Sequence, residues 1–401
     1  TITIYFIIKN DFYLNRFSHH FNKVIYMAKF SRLLPKMSAV ALSTLLAIST
    51  NVFAKPTEVT DILDRKVTVE LPAKRVVLAF NYQDYMAVGG KHALDNVVGF
   101  SKAVWTNWTP ASWAKFSKAI PKLNELEDVG EVEVGTFSVE KILALKPDFV
   151  LMADWQYKAL DSDLEPLEQA GIPVVVVDYL AQTVDKHVRS TEIIGQLTGQ
   201  EAKAKALNDE YKAVVKDIQD RVAKANLPKP KVYVEFGNKG PAEHSFTFGK
   251  SMWGAMINLV GGDNIAKQAV EFYSPINPEL VVAAKPDVIL ITGRETELKK
   301  NPNAMVAGFN IEEAEARKRL AGFAARPGWS ELPAIKNNRL YGAYHANSRT
   351  ISDSASIQFV AKAIYPELFK DLDPTKTYQD FYRKNLPIVP QGTFYLEPVS
   401  K

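Results

Sequence analysis

Cysteine is absent from the 401 residues. Without it the chain forms no disulfide and no thiolate metal site, and it has neither a cysteine nucleophile nor a cysteine that could carry a lipid anchor. Histidine is scarce as well. Only His92, His187, His244 and His345 follow residue 54, and no two of them are four residues apart. We therefore expect no zinc-type metal site.

The motifs of common enzyme classes are also missing. The sequence contains no glycine-rich phosphate loop, no Gly-x-Ser-x-Gly elbow and no zinc-protease helix, and Gly237-Asn238-Lys239-Gly240 is too short for a P-loop. A secreted hydrolase stays open as a second hypothesis, although no nucleophile and base can be named for it. The sequence predicts no catalytic residues and no cofactor.

The apolar run near the N-terminus is too short to cross a bilayer. It spans 37–49, follows three basic residues, and is succeeded by Val52-Phe53-Ala54, which has small residues at both positions that signal peptidase reads. A transmembrane anchor, the alternative, needs roughly 20 apolar residues. We predict a cleavable signal peptide at 27–54, an upstream segment 1–26 outside the fold, and a soluble periplasmic protein that starts at Lys55.

Excess charge of one sign is missing from the predicted mature chain. The formal charge of +4 comes from 49 basic and 45 acidic residues, but residues 1–54 hold six of the basic residues and one of the acidic ones. The remainder therefore has 43 basic and 44 acidic residues. A nucleic-acid or membrane-surface partner would require a basic face, so we expect no nucleic acid as a partner.

The length and the spacing of apolar runs predict two α/β lobes. A chain of 401 residues exceeds the size at which a single core stops growing. Short runs that are apolar on both faces alternate with helix-length segments, as in parallel sheets. The predicted strands are 76–80, 149–152 and 174–177 in the first lobe, and 232–236, 288–291 and 339–344 in the second.

A helical region separates these two sets of strands. It extends from about 184 to 225, is interrupted by Gly195 and Gly199, and ends before Leu227-Pro228-Lys229-Pro230. We predict two helices, the second of which joins the lobes. The expected domains are an N-terminal lobe at 55–198, an interlobe helix at 199–227 and a C-terminal lobe at 228–401.

An internal repeat supports two equivalent lobes with a cleft between them. Residues 138–151 correspond to 277–290 at a constant offset of 139 positions. Each copy has a predicted N-cap, Ser138 or Asn277, then a helix with glutamate at its second position, a Lys-Pro-Asp turn and a buried strand. Chance similarity of two αβ units could explain the turn, but it explains the shared glutamate less well.

The order and spacing of several segments resemble a known family, the helical-backbone (class III) substrate-binding proteins of ABC importers. The resemblance covers roughly 57–390 and is carried by 59–77, Val129-Gly130, the two Lys-Pro-Asp units, 193–199 and Leu259-Val260-Gly261-Gly262. It implies two Rossmann-like lobes that are joined by one rigid helix, with a ligand cleft between them.

The resemblance also implies a class of ligand. The family serves ferric siderophores, haem, cobalamin and some metal ions or oxyanions. The stretch from Tyr344 to Phe394 resembles the subgroup that includes the molybdate- and tungstate-binding member. We expect a monomer that captures a metal in anionic form, either an iron complex or an oxyanion, and delivers it to a permease dimer with its ATPase.

Candidate ligand-binding residues follow the predicted strands, because ligands of open α/β sheets lie outside the carboxyl ends of the strands. Arginine suits oxyanion or carboxylate groups, since its planar fork donates two parallel hydrogen bonds. Local packing of the aromatic residues, ion pairs of the arginines with Glu295 or Asp353, and a structural role for the histidine are the alternatives. The candidates are Asn81, Tyr82, Trp105, Trp155, Tyr157, Arg294, His345, Asn347 and Arg349.

Glu140 and Glu279 occupy the same position in the two repeat copies. A carboxylate at a helix start is favoured by the helix dipole, which is sufficient to explain either residue alone. The resemblance implies a further role, in which one surface glutamate from each lobe contacts arginines of a permease subunit. We expect both side chains to be exposed.

Overall fold

The structure, a computed structural model, describes residues 53–181 and 183–398. The upstream segment 1–26 and all but the last two residues of the predicted signal peptide lie outside the described residues. The described part falls within one unit, Val52–Lys401. None of its helices is both long enough and apolar enough to span a membrane.

The first half of the chain alternates strands and helices. They are β1 (Lys55–Thr60), β2 (Lys66–Leu71), β3 (Val76–Leu78), α1 (Tyr82–Gly89), β4 (Val97–Phe100), α2 (Lys102–Trp108), α3 (Pro110–Ala119), α4 (Lys122–Glu125), β5 (Glu127–Asp128), α5 (Val139–Leu145), β6 (Phe149–Ala153), α6 (Asp154–Leu160), α7 (Glu165–Gln169), β7 (Val174–Val177) and α8 (Val184–Thr198).

The long helix α9 (Glu201–Ala225) follows, and the second half then repeats the alternation. Its elements are β8 (Lys231–Phe236), β9 (Thr247–Phe248), α10 (Met252–Leu259), β10 (Asp263–Asn264), β11 (Tyr273–Ser274), α11 (Pro278–Ala284), β12 (Val288–Gly293), α12 (Glu297–Lys300), β13 (Gly308–Phe309), α13 (Glu313–Ala324), α14 (Pro333–Lys336), β14 (Leu340–Tyr344), α15 (Ser354–Ile364), α16 (Pro374–Asn385), β15 (Gly392–Thr393) and β16 (Tyr395–Leu396).

Each half is built around a five-stranded sheet. The N-terminal lobe has the strand order β5-β4-β3-β6-β7, and all its pairings are parallel. Every residue of β3, β6 and β7 is buried, because helices cover both faces of a parallel sheet. This confirms the α/β prediction from apolar runs.

The C-terminal lobe has the order β10-β8-β12-β14-β16. The first four strands are parallel as predicted, whereas the edge strand β16 runs antiparallel to β14. β16 has two residues and comes from the C-terminal tail, which returns to the sheet after α16 without a further helical crossover. An antiparallel edge strand requires no such crossover.

Two helices occupy the predicted helical region. α8 ends at Gly199, which has the left-handed conformation with a φ of 64° and so stops the helix. α9 lies within the predicted 199–227 and contacts both α8 and α15. Tyr211 of α9 stacks on His187 of α8 with ring centroids 3.6 Å apart, and Nδ1 of His187 lies 3.2 Å from an oxygen of Asp353, which begins α15.

The internal repeat has the same local structure in both lobes. Ser138 and Asn277 accept backbone hydrogen bonds at the starts of α5 and α11, and both helices end at a left-handed lysine, Lys146 or Lys285. Beyond each Lys-Pro turn an aspartate carboxylate accepts a backbone N–H at the start of the neighbouring strand, which is β3 in the first lobe and β8 in the second. The two copies therefore attach a helix to a sheet in the same way.

Candidate functional site

An inner chamber lies between the carboxyl ends of the two sheets. The N-terminal lobe contributes residues from the turn after β3 and from α1, α2 and α3, and the C-terminal lobe contributes residues that follow β12 and β14 and two tyrosines of α16. Its volume is about 40 Å³, counted as the space that centres of water-sized spheres can occupy. By this measure it holds about three water molecules.

Arg349 brings an unpaired positive charge to this chamber. It follows the 3-10 turn His345–Ser348, and its guanidinium makes no hydrogen bond or ion pair with any described residue. The guanidinium carbon lies 4.6 Å from the ring centre of Trp108 and 5.5 Å from that of Phe80, both in the N-terminal lobe. Burial lowers the pKa of Arg349 to about 10, and Glu133 opposes part of that shift. Arg349 therefore stays charged at neutral pH.

Arg294 supplies a second guanidinium beside the first. It directly follows β12, and its Nε is buried with no hydrogen-bond partner among the described residues. Its nearest carboxylate, that of Glu297, is 3.7 Å away. The guanidinium carbon lies 4.9 Å from the ring centre of Phe236 and 5.9 Å from that of Trp108. Both arginines therefore converge on Trp108.

His345 lies next to the two arginines and is uncharged. Its ring stacks on Phe236 at 4.2 Å, and its Nδ1 lies 3.0 Å from Oγ1 of Thr292. Burial, followed by the charges of Arg294 and Arg349, holds the pKa of His345 well below its usual range. A neutral imidazole can still hydrogen-bond to a ligand through its other ring nitrogen.

The wall opposite the arginines is aromatic. Phe80 contacts Trp105 at 5.1 Å and Trp155 at 5.5 Å, and Trp108 stacks on Trp155 at 6.3 Å. The tryptophans therefore pack against one another, and some of them also form a wall of the chamber. Trp105 and Trp108 line the chamber, whereas Trp155 lies behind them.

The structure separates the other predicted residues. Asn347 lines the chamber and donates to the hydroxyl of Tyr395 at 3.1 Å. Tyr82 does not line it, because α1 begins at this residue and directs the ring into the core, where it packs 4.8 Å from Trp105. Asn81 is buried beside it, and its Nδ2 donates to Asp84 at 2.6 Å.

Tyr157 lies away from the chamber. Its hydroxyl accepts a hydrogen bond from Nη1 of Arg65 at 2.7 Å, and the Arg65 guanidinium covers its ring at 4.3 Å. Helix α6 turns this residue towards the loop between β1 and β2. The five candidates that line the chamber are Trp105, Arg294, His345, Asn347 and Arg349.

Several lining residues were not among the candidates. Asp84 lies on the first turn of α1, and Tyr378 and Tyr382 come from α16, near the end of the chain. The sequence does indicate that the two tyrosines share a face of one helix, because they are four residues apart. Their hydroxyls connect to the other lobe, since Tyr382 donates to Oε1 of Gln83 at 3.0 Å.

A wider outer groove adjoins the chamber through a shared layer of Arg294, His345 and Arg349. Its volume by the same measure is about 350 Å³. Phe246 and Tyr273 lie at its rim, 38% and 43% exposed, with ring centroids 5.7 Å apart. Exposed aromatic rings at the edge of a groove offer contact area for an organic ligand.

The described residues contain no cluster of three or more histidine, aspartate or glutamate side chains that could hold a metal ion. Glu140 and Glu279 are both exposed on the first turns of their helices. A hydroxyl hydrogen bond from Ser138 reaches Glu140 at 3.2 Å. Both carboxylates are therefore accessible to a partner.

Comparisons with known proteins agree with this architecture. A family model described as periplasmic binding protein matches residues 81–344. The ABC transporter substrate-binding lipoprotein YvrC of Bacillus subtilis is 28% identical over 79% of this chain and 88% of its own length. The molybdate-binding protein MolA of Haemophilus influenzae is 23% identical over 81% of this chain and 90% of its own length.

A solved structure extends the likeness to three dimensions. The TroA-like periplasmic binding protein FepB from Veillonella parvula is 35% identical, with a TM-score of 0.79, and the match covers 86% of this chain and 100% of that one. The relatives are binding proteins and not enzymes. The chain belongs to the periplasmic binding protein family.

Proposed function

We propose that this protein captures an anionic metal complex with an organic chelator and delivers it to the permease of an ABC importer. The observation that carries the proposal is the pair of guanidinium groups, Arg294 and Arg349, which lie beside Trp108 in a chamber between the lobes and have unused hydrogen-bond donors. Burial of such donors without acceptors is unfavourable, so an anionic group of a ligand would supply the missing hydrogen bonds.

The aromatic wall favours a complex with an organic body over a bare oxyanion. A tetrahedral oxyanion accepts hydrogen bonds in all directions, but part of the chamber lining consists of the rings of Phe80, Trp105 and Trp108, which offer no donor on their faces. In the proposed arrangement one anionic group enters the chamber. The organic part then lies in the outer groove, against Phe246 and Tyr273.

A molybdate or tungstate oxyanion is the second candidate, because the inner chamber is small. About 40 Å³ of space suits a compact ion, and the relative MolA is named for molybdate. His345 and Asn347 would then complete the donor set. This candidate leaves the outer groove without a function, whereas the organic complex occupies both spaces.

A binding panel separates the two candidates. Ferric citrate, a ferric catecholate, a ferric hydroxamate, haem, molybdate and tungstate would be titrated by calorimetry and by fluorescence of the chamber tryptophans, with sulfate as the reference anion. We expect a ferric organic complex to bind most tightly. Tight binding of molybdate, with no affinity for any organic complex, would replace the first candidate by the second.

Arg349→Ala tests whether the arginines carry binding. A hydrogen bond to a charged group contributes about 1.5 to 3 kcal/mol, and 1.4 kcal/mol corresponds to about tenfold in affinity. The variant should therefore bind at least about tenfold more weakly. The control is Arg383→Ala on the exposed side of α16, where the guanidinium pairs with Asp380. Equal affinity of wild type and Arg349→Ala would contradict the proposal.

Delivery requires that the protein reach the permease. We propose that it is exported by the cleavable signal peptide at 27–54, is free in the periplasm because the chain has no cysteine for a lipid, and acts as a monomer. Mass spectrometry of the mature protein should give Lys55 as the first residue. A retained apolar leader would contradict this.

A further inference from the structure

Asp84 of the N-terminal lobe is bonded to the segment of the C-terminal lobe that carries Arg349. One carboxylate oxygen, Oδ1, accepts the backbone N–H of Ile351 at 2.8 Å and the hydroxyl of Thr350 at 3.1 Å. The other, Oδ2, accepts Nδ2 of Asn81 at 2.6 Å. The side chain is 4% exposed, and it lines the chamber.

We propose that Asp84 is a positioning residue, which fixes the turn after Arg349 against the N-terminal lobe and thereby sets the affinity for the ligand. The inference rests on the proposed function, because it takes Arg349 as the group that binds the anion. It assigns to Asp84 no contact with the ligand.

The surroundings of Arg349 show why its position depends on the hydrogen bonds of Asp84 to Thr350 and Ile351. Its guanidinium has no hydrogen bond to a described residue, so no hydrogen bond from a side chain of its own lobe holds it in place. Its ring contacts, Phe80 and Trp108, belong to the N-terminal lobe. Without the bonds from Asp84, the backbone at Thr350 and Ile351 could move away from that lobe and take Arg349 off the aromatic wall.

The charge of Asp84 is unfavourable for the bound anion. A carboxylate that lines an anion-binding chamber repels the ligand, so ligand contact does not explain the residue. Its three hydrogen bonds to Asn81, Thr350 and Ile351 do explain it, because each ends on a group that a neutral apolar side chain could not satisfy. Substitutions of Asp84 can therefore separate the effect of its hydrogen bonds from the effect of its charge.

Asp84→Asn preserves the bonds and removes the charge. The amide oxygen can still accept from Ile351 and Thr350, but its NH2 group would face Nδ2 of Asn81. Oδ1 of Asn81 is buried without a hydrogen-bond partner among the described residues. A flip of the Asn81 amide would present this oxygen to the new NH2 group. The variant can then make all three hydrogen bonds, to Asn81, Thr350 and Ile351.

The experiment compares Asp84→Ala, Asp84→Asn and wild type, with ferric citrate and, in parallel, molybdate as probes. Asp84→Ala should bind about tenfold more weakly or worse, since it loses three buried hydrogen bonds and leaves their donors without an acceptor. Asp84→Asn should recover most of the affinity, to within about threefold of wild type. Asp371→Asn, which removes a carboxylate that pairs with Arg221 far along α9, is the matched control.

Hydrogen exchange at the amide of Ile351 gives a readout that needs no ligand. The amide should exchange faster in Asp84→Ala than in wild type, and slowly again in Asp84→Asn. Wild-type affinity in Asp84→Ala would overturn the inference, as would an Asp84→Asn variant as weak as Asp84→Ala. If Arg349→Ala binds as wild type, the proposed function fails. An unchanged exchange rate at Ile351 in Asp84→Ala would instead show that Asp84 does not hold the segment after Arg349 in place.

Discussion

Glu295 occupies an environment that disfavours its charge. The side chain is 7% exposed, Oε1 accepts the hydroxyl of Tyr344 at 3.4 Å, and Oε2 has no hydrogen-bond partner among the described residues. Burial raises the pKa of Glu295 from 4.5 to about 7, and the neighbouring Arg294 offsets only part of that effect. Directly after the arginine that we assign to the ligand, the protein therefore has a carboxyl group that titrates near neutral pH.

Glu295→Gln should remove a pH-dependent loss of stability. Between about pH 4.5 and 7 the unfolded chain releases a proton that the folded protein keeps, so stability falls as the pH rises through this window. This difference in pKa between the folded and unfolded states corresponds to roughly 3 kcal/mol. The variant should gain up to that amount over wild type at pH 8, and little below pH 4.5, in urea unfolding.

Glu367→Gln, an exposed glutamate with no described partner, is the control and should follow wild type at both pH values. A stability difference between Glu295→Gln and wild type that is the same at pH 4 and pH 8 would show that Glu295 does not titrate in this range.

At the scale of elements, the two repeat helices share a feature that costs stability. Both α5 and α11 end at a lysine in the left-handed conformation, with φ values of 47° at Lys146 and 52° at Lys285. For a residue with a Cβ this conformation costs roughly 1–2 kcal/mol. Both lysines are exposed, so their side chains are not needed for packing.

Lys146→Gly and Lys285→Gly should therefore each stabilise the protein. Glycine adopts the left-handed conformation freely, although it loses more entropy on folding, so the expected net gain is about 0.5–1 kcal/mol per site. Denaturant unfolding measures it. Lys216→Gly in the middle of α9 should have the opposite sign, a loss of about 1 kcal/mol. Destabilisation at Lys146 would mean that the turn requires the lysine.

The sequence predicts elements well where their pattern is local. The runs 149–152 and 174–177 are strands because every side chain in them is apolar and buried, and α8 ends at Gly199 because glycine accepts the left-handed conformation there. The two-residue strand β16 could not be predicted. Its assignment depends on a hydrogen-bonded neighbour, β14, that is distant in sequence, and not on a pattern of its own.

The site was predictable in part, for a similar reason. Arg294 and the segment His345–Arg349 follow strands directly, so the strand rule places them at the cleft. Tyr82 also follows a strand, but the turn after β3 is only three residues long, and helix α1 directs the ring into the core. Asp84 and Tyr382 lie on helices, and the strand rule does not predict which helices pack at the chamber, although the spacing of Tyr378 and Tyr382 places both on one helix face.

At the scale of the whole molecule, the repeat gives each lobe one exposed glutamate at an equivalent place. Glu140 and Glu279 lie on the first turns of α5 and α11. Favourable interaction with the helix dipole accounts for each one alone. A partner with two equivalent subunits would account for both, because each lobe could then contact one subunit in the same way.

Replacement of both Glu140 and Glu279 by alanine should separate binding from transport. Solute affinity should stay within about twofold of wild type, well short of the tenfold change that 1.4 kcal/mol would give. The reason is that neither residue lines the chamber or the outer groove. Uptake, or stimulation of the transporter's ATPase in liposomes, should fall sharply. The double variant Glu125→Ala and Glu367→Ala, again one exposed glutamate from each lobe, is the control. Unimpaired uptake would leave the pair as helix-start residues only.

The exposed rings of Phe246 and Tyr273 at the rim of the outer groove have a calorimetric consequence. Covering these rings with an organic ligand removes apolar surface from water, and this gives binding a negative heat-capacity change. Titrations at several temperatures should therefore give a binding enthalpy that becomes more exothermic on warming. A compact oxyanion between Arg294 and Arg349 would cover mainly polar groups, and its enthalpy should change little with temperature. The slope of enthalpy against temperature thus identifies the kind of ligand independently of its affinity.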